Sequence, residues 1–290
     1  MKKKLIIHIG TPKTGSSFLQ EVCVKNYEKL LAAGVLYPGV DDGKFIKKAN
    51  VPINASNILS VFTNDISKQT TCALLKEHLE SVFSFGVDKV LLSDETLNAF
   101  NVQDKGNLYI FECLVDVCET SNIEVSFIAY FRKPSKYLPS HWAQLVKKHN
   151  ETLPLIDFVE KNKIPYWNNL VALSNQYNNL SIFSYDKEIS SHGGIAKSFF
   201  DAIGTNYEDL DILTHQTINP SLSLNALTAL RLINAEFNDD VIREIENILT
   251  NASSKPNFNK PRLTNEMGLL VDKLYETELC ILNDIVHHNK

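Results

Sequence analysis

The sequence predicts an α/β fold in which helices cover a mostly parallel central sheet, with a helical part towards the C-terminal end. Short apolar runs that suit buried strands alternate with stretches whose apolar residues recur at helical spacing. Parallel strands need crossover connections, which are usually helices, so this alternation favours a parallel sheet. The chain has 290 residues, enough for a sizeable core. We predict one domain, with a core over 1–204 and a helical extension over 205–290.

Four strands are predicted in the core, the first over residues 5–9, where Gly10 ends an apolar run. The other three strands are expected at 89–93, 124–131 and 180–185. Helices are expected from 18 to 31, at 73–85, near 107–120, at 135–149, within 154–176 and at 195–203. Residues 38–72 are rich in Pro, Asn, Asp, Lys and Gly and predict loops and short helices. The last predicted helices cover 222–233, 241–248 and 267–286.

Composition and charge disfavour several classes of protein. The formal net charge of −5 argues against a surface that attracts nucleic acid as a whole. The five cysteines are scattered without a CxxC pair, so neither a disulfide framework nor a zinc site is expected. No apolar run reaches the roughly eighteen residues of a membrane span. The start, MKKKLIIHIG, has too short an apolar run for a signal peptide, and we expect a cytoplasmic protein.

The stretch HIGTPKTGSS, residues 8–17, lies between the first predicted strand and helix. Gly10 and Gly15 have the spacing of a Walker A loop, but Ser16 occupies the position of its lysine, and Lys13 lies inside the loop. Backbone N–H groups of residues 13–17 can still cradle a phosphate at the helix start, with the Ser16 and Ser17 hydroxyls as donors. The alternative is a plain strand–helix turn with an exposed lysine.

This loop resembles the 5′-phosphosulfate loop of sulfotransferases that use 3′-phosphoadenosine 5′-phosphosulfate (PAPS). HIGTPKTGSSFLQ followed by GVLYPG is similar to bacterial members. The resemblance implies a P-loop-like three-layer fold, PAPS as donor, adenosine 3′,5′-bisphosphate (PAP) as product, and no metal. It implies that Lys13 contacts the oxygen bridging phosphate and sulfate, and that Phe18 lies against adenine. It assigns the 5′-phosphate to Thr14, Gly15, Ser16 and Ser17. The family usually has Thr at the last two loop positions, where this chain has Ser.

A second stretch, FIAYFRKPSKYLPSHW, supplies an arginine where a predicted strand ends. The planar fork of Arg132 suits a phosphate, and strand ends form the usual ligand edge of an open α/β sheet. Together with Ser140, eight residues later, it resembles the family's 3′-phosphate site; the alternative is an ordinary strand-end charge. By the same resemblance Tyr185 approaches the adenine, unless it is only a half-buried aromatic. The basic segment 255–262 can close over the 3′-phosphate or be a solvated loop.

Transfer of a sulfuryl group needs a base that takes the proton of the acceptor. KVLLSDETL places Asp94 and Glu95 after the strand expected beside the first one. We assign the base to Glu95 and interpret Asp94 as the cap of the next turn. The alternatives are a simple helix cap or a Walker B-like acid. His8 is expected to be a satisfied core histidine, and Asp41, Asp42 and His141 are weaker candidates for the base.

The sequence therefore predicts a bacterial, cytoplasmic sulfotransferase that moves sulfate from PAPS to a hydroxyl or amine. Its expected acceptor is a small molecule, a glycan or a glycolipid, an expectation that rests on analogy. A P-loop kinase of a small metabolite is the first alternative, against which Ser16 in the Walker lysine position stands. A nucleotide-binding module without catalysis is the second.

Overall fold

The chain folds as two compact units, each with its own core. The computed structural model describes residues 2–63, 66–98, 106, 108–212, 222–237, 239–252 and 259–288. The first unit comprises Met1–Phe131, Pro165–Thr214 and Cys280–Lys290, and the second comprises Arg132–Ile164 and His215–Leu279. Of the segment 255–262, residues 255–258 lie outside the described residues. The assignment of 1–290 to a single domain stays a prediction.

The first unit is built on a parallel sheet. The strands in chain order are β1 Lys3–Gly10, β2 Val35–Leu36, β3 Gly39–Asp41, β4 Lys44–Ile46, β5 Lys89–Ser93, β6 Ile123–Phe131 and β7 Leu180–Ser184. Five of them form the sheet in the order β2-β5-β1-β6-β7, and every neighbouring pair in it is parallel. Residues 5–10 of β1 are all buried, as expected for a central strand covered on both faces.

Helices flank the sheet and make up the second unit. In chain order they are α1 Ser16–Lys25, α2 Tyr27–Ala32, α3 Ser56–Ser60, α4 Lys68–Phe83, α5 Tyr109–Thr120, α6 Pro134–Lys148, α7 Leu155–Lys161, α8 Tyr166–Gln176, α9 Tyr185–Glu188, α10 Gly194–Ala202, α11 Leu224–Asn234, α12 Asp239–Ala252, α13 Asn265–Leu274 and α14 Glu276–His288. Short 3₁₀ turns cover Val61–Thr63 and Tyr207–Asp209. The second unit contains α6, α7 and α11 to α13. None of the described helices is both long enough and apolar enough to cross a bilayer.

The predicted fold class is confirmed: the protein is α/β, with a mostly parallel sheet flanked by helices and a helical C-terminal part. The segment 38–72 was expected to hold only loops and short helices, and this was wrong for the antiparallel β3–β4 hairpin. The fifth sheet strand, β2, also went unpredicted. Strands of two or three residues are too short to show a period in the sequence.

Three predicted elements end at other residues in the structure. The helical pattern over 18–31 breaks at Asn26, whose buried amide donates to the Val22 carbonyl and exchanges hydrogen bonds with the backbone of Asp211. The predicted helix over 267–286 is interrupted at Tyr275. The predicted strand 180–185 ends at Ser184, and Tyr185 opens α9.

The register of the sheet sets which loops meet at its carboxyl edge. β1 pairs with β5 so that Ile7 faces Leu92 and His8 faces Ser93. β1 runs two residues further, to Gly10, and both strands end at the same edge of the sheet because they are parallel. The loop that follows β1 and the turn that follows β5 emerge side by side.

Within the second unit, a carboxylate caps the start of α6. The backbone N–H and the hydroxyl of Ser135 each donate to one oxygen of Asp272 on α13, both at 2.8 Å. The carboxylate satisfies an N–H group that the first turn of a helix leaves unpaired. At the other end of α6, the Lys148 ammonium donates to the mostly buried Glu246 on α12 at 2.7 Å. These bonds attach α6 to its neighbours within the unit.

Candidate functional site

The Lys13 loop, residues 10–17, is held in a tight turn by its backbone conformation and by hydrogen bonds within it. Gly10, Lys13 and Gly15 have φ values of 70°, 66° and 85°. The buried Thr14 hydroxyl donates to the Thr11 carbonyl at 2.6 Å. The Leu19 N–H donates to the Gly15 carbonyl at 3.1 Å, which closes the first turn of α1. The loop is therefore a defined structure between β1 and α1.

Lys13 adopts a backbone conformation that lysine rarely uses. Among the described residues, the other non-glycine residues with positive φ are Asp42, Asn122 and Asn150. Asn and Asp visit the left-handed region several times more often than other residues. For lysine the conformation costs about 1 kcal/mol or more. Such strain concentrates at functional sites, where the surrounding structure holds it in place.

The start of α1 lacks a side-chain cap. Its N-cap is Gly15, which has no side chain to accept from the first turn. Ser16, at the first helical position, is 3% exposed, and its hydroxyl has no hydrogen-bond partner among the described residues. Ser17 and Phe18 follow and are half-buried. Unpaired N–H groups, the helix dipole and an unsatisfied hydroxyl at one point can together hold an anion.

Glu95 lies directly against the Lys13 loop. A Cβ atom built on Gly10 would lie 2.3 Å from the Cβ of Glu95 and 2.4 Å from its Cα. Only a residue without a side chain can take this position, and its φ of 70° also favours glycine. Glu95 is half-buried, and its Oε2 accepts a hydrogen bond from Gln20 Nε2 at 2.9 Å. The acid predicted as base therefore lies at the loop.

Asp94 caps the turn that follows β5, as predicted. Its Oδ1 accepts from the Thr96 N–H at 2.9 Å and from the Thr96 hydroxyl at 2.7 Å. Its own N–H donates to the His8 carbonyl at 3.0 Å. Burial raises the pKa of Asp94, and the two Thr96 bonds partly oppose this. This carboxylate therefore has a structural role next to Glu95.

His8 is buried and neutral, as expected of a core histidine, although only one of its nitrogens is satisfied. Its Nδ1 lies 2.8 Å from the Ser93 hydroxyl, while Nε2 has no partner among the described residues. The ring packs edge-on against Phe199 and Tyr130, with centroid distances of 5.3 and 6.1 Å. Burial lowers the pKa of His8 to about 3.

The remaining candidates for the base lie on other elements of the fold. Asp41 and Asp42 are exposed at the β3–β4 hairpin of the first unit. His141 lies on α6 in the second unit, stacked on Tyr137 with ring centroids 5.3 Å apart.

Two further residues connect with the Lys13 loop. The ring of Tyr185 lies beside it, because Tyr185 Cε2 would be 3.4 Å from a Cβ built on Gly15. The buried Asn98 amide donates to the Thr11 hydroxyl at 3.0 Å, which ties the Glu95 turn, residues 94–98, to the loop. Sequence reasoning missed Asn98 and Gln20. Gln20 lies four residues after Ser16 and three before Cys23, so its position on their face of α1 was the available signal.

The predicted 3′-phosphate residues belong to the second unit. Arg132 is half-buried and directly follows the last residue of β6. Ser140 is half-buried in the second turn of α6. The structure thus brings the Lys13 loop, Glu95 and Tyr185 together in the first unit. A shared site with Arg132 and Ser140 stays a prediction.

Comparisons with known proteins are sparse. No protein-family model matches the chain, and no curated protein matches it. Among solved structures, it is similar to a sulfotransferase from Alicyclobacillus acidocaldarius, with a TM-score of 0.42 and 11% identity over 84% of this chain and 100% of that one. A likeness of this size carries no conclusion about activity.

Replacing Gly10 with alanine tests the contact with Glu95. We expect Gly10→Ala to lower the free energy of unfolding by about 2 kcal/mol more than Gly34→Ala, because overpacking adds to the backbone strain. Gly34 is the matched control, since its φ is 80° and nothing lies within 4 Å of its added Cβ. Urea unfolding measures both variants. Equal losses would contradict the close approach of Glu95.

The buried neutral state of His8 predicts a pH-dependent stability. Between its ordinary pKa of 6.5 and about 3, the unfolded chain binds a proton at His8 that the folded chain does not. Stability therefore falls as the pH falls through this window, by up to about 1.4 kcal/mol per pH unit from this group. In urea unfolding from pH 6.5 to 4.5, His8→Gln should reduce the slope of the free energy of unfolding against pH. His192→Gln, at an exposed histidine, should keep the wild-type slope.

Proposed function

We propose that this protein is a sulfotransferase that transfers the sulfuryl group of PAPS to a hydroxyl or amine of an acceptor. The observation that carries the proposal is the Lys13 loop itself. It holds a lysine in a strained conformation, ends at an uncapped helix start with an unsatisfied buried hydroxyl, and lies against a carboxylate. A cation, an anion-binding helix start and a base are the groups that sulfuryl transfer requires.

In this proposal the Lys13 loop holds the 5′-phosphosulfate end of the donor. The Lys13 ammonium stabilises the charge that develops on the leaving phosphate. The backbone N–H groups of residues 14–17 and the Ser16 hydroxyl bind the 5′-phosphate. The Thr14 hydroxyl is already bonded to the Thr11 carbonyl, so Thr14 takes part through its N–H. When bound, PAPS supplies an activated sulfuryl group with a good leaving group, and no metal is needed.

Glu95 is the base of this proposal. Its Oε1 has no hydrogen-bond partner among the described residues, so it can accept a proton from the acceptor. The nearby alternatives have other roles, because Asp94 caps a turn and His8 is buried and neutral. Glu95 is also the acid whose backbone packs against the Lys13 loop.

The rest of the donor needs further groups. We assign the 3′-phosphate to Arg132 and Ser140, since guanidinium and hydroxyl groups are typical phosphate donors. Phe18 and Tyr185 are the aromatic residues for adenine, and Tyr185 lies beside Gly15. The product would be PAP. The acceptor would be a small molecule or glycan, and the cytoplasm, where PAPS is made available, would be the compartment.

Nucleotide binding tests the donor assignment. We expect PAP to raise the melting temperature without magnesium, and Lys13→Ala to weaken PAP binding at least about tenfold, as for loss of a charged hydrogen bond. Lys25→Ala is the control, because Lys25 is exposed at the end of α1. Arg132→Ala should remove the preference for PAP over adenosine 5′-monophosphate. Stabilisation by ATP with magnesium alone would support the kinase instead.

Turnover tests the base. With radiolabelled PAPS and a panel of hydroxyl and amine acceptors, Glu95→Gln should lower transfer by roughly a hundredfold or more, the usual contribution of a general base. The melting shift with PAP should remain, because the amide keeps the size of the side chain. Glu77→Gln, at an exposed position on α4, is the matched control. Unchanged transfer by Glu95→Gln would remove Glu95 from the role.

A further inference from the structure

A buried amide on α1 contacts the proposed base. Gln20 is 2% exposed, and a buried amide is costly unless hydrogen bonds satisfy it. Its Nε2 donates to Glu95 Oε2 at 2.9 Å and to the Ser93 hydroxyl oxygen at 3.1 Å. An ionised carboxylate can only accept, so it requires the nitrogen of the amide on this side. Both protons of the Gln20 amide nitrogen are therefore used, one for each partner.

The second partner of Gln20 is itself held in place. The Ser93 hydroxyl lies 2.8 Å from His8 Nδ1. The Ser93 N–H donates to the Asn54 side-chain oxygen at 2.8 Å. His8, Ser93 and Asn54 are all buried. Gln20 thus links a buried cluster, formed by β1, β5 and the loop that carries Asn54, to the half-buried carboxylate of Glu95.

Glu95 is held at two points. Its Cβ lies against Gly10, where no side chain fits, and its Oε2 is bonded to Gln20. A carboxylate whose side chain is held at Cβ and at one carboxylate oxygen has little freedom to rotate. The remaining oxygen, Oε1, has no partner among the described residues.

We propose that Gln20 is a positioning residue: it binds Oε2 of Glu95 and so selects Oε1 as the oxygen that accepts the proton of the acceptor. This inference rests on the proposed function. In this inference Oε1 takes up the proton, and the bond of Oε2 to Gln20 fixes the orientation of the carboxylate. Positioning of this kind matters because proton transfer requires the base within hydrogen-bond reach of the reacting group.

The neutrality of Gln20 is part of the inference. A cation in its place would stabilise the ionised carboxylate strongly and make it a weaker base, and an acid would do the reverse. An amide orients the carboxylate without adding a charge. Ionisable groups near Glu95 include Asp94 on the same turn, the buried Tyr37, which follows β2, and Lys13 in the loop that packs against Glu95. Burial is the main cause of the raised pKa of Tyr37, and the charges of Glu95 and Asp94 add to it.

Two substitutions at Gln20 test the inference through the titration of Glu95. Carboxyl-carbon NMR of glutamate-labelled protein follows each carboxylate, and Glu95→Gln identifies the signal of Glu95. Gln20→Met keeps the shape and removes both donors, so the titration curve of the Glu95 signal should differ from that of the wild type. Gln20→Glu brings two carboxylates together, so the curve should change there too, through the repulsion of like charges.

Turnover and nucleotide binding complete the test. Gln20→Met should lower transfer from PAPS by about tenfold and leave the affinity for PAP unchanged. If Gln20 had only a structural role, its loss would change neither the titration of Glu95 nor turnover independently of PAP binding. Gln176→Met, at an exposed glutamine on α8, is the control and should match the wild type in both measurements.

The outcomes separate this inference from the proposed function. An unchanged Glu95 titration in both Gln20 variants, or unchanged transfer by Gln20→Met, would overturn the positioning role. If PAP does not stabilise the wild-type protein, the donor assignment fails instead, and the titration still reports whether Gln20 holds Glu95. Should one variant fold poorly, the other decides, because each changes the Glu95 signal by a different physical cause.

Discussion

The close approach of Glu95 to Gly10 is the constraint on which the candidate site depends. It exists because β1 and β5 are parallel neighbours in register, so the Lys13 loop and the Glu95 turn leave the same edge of the sheet. Gly10 allows the contact, since any side chain there would overlap with Glu95. The hydrogen bond from Asn98 to Thr11 joins the two segments a second time. A cation-bearing loop and a carboxylate thus come together through the backbone geometry of this sheet edge.

The interior beneath this edge is polar and, where it is deepest, uncharged. His8 is neutral because burial makes the imidazolium costly. Ser93, Asn54 and Gln20 are neutral hydrogen-bonding groups. Ionisable side chains at this edge include those of Lys13 and Glu95, which are half-buried, and of Asp94, which is buried and caps its turn. Buried neutral groups satisfy one another at lower cost than buried charges. Neutral hydrogen-bonding groups can therefore support the reactive carboxylate of Glu95.

Features with a strong local pattern could be predicted from the sequence, and features without one could not. In the first unit, long apolar strands and the loop between Gly10 and Gly15 were predictable, because both leave strong local patterns. The two-residue strand β2 and the β3–β4 hairpin left none, since such short strands show no period. The break at Asn26 depends on hydrogen bonds to Asp211, which the local pattern does not contain. The placement of Arg132 and Ser140 on the end of β6 and on α6 followed the predicted pattern, and their role remains a prediction.

The sequence by itself determined the class of fold, the strand–loop–helix unit around Lys13, and the short set of acids that follow β5. These features are local: each depends on residues a few positions apart, whose spacing and type are visible in the chain. Only the tertiary structure decided that Glu95 packs against Gly10, that Ser93 contacts the ring of His8, and that Gln20, 75 positions before Glu95, holds its carboxylate. The reason is physical, because burial and hydrogen bonding between distant segments arise only when the sheet brings its strands into register.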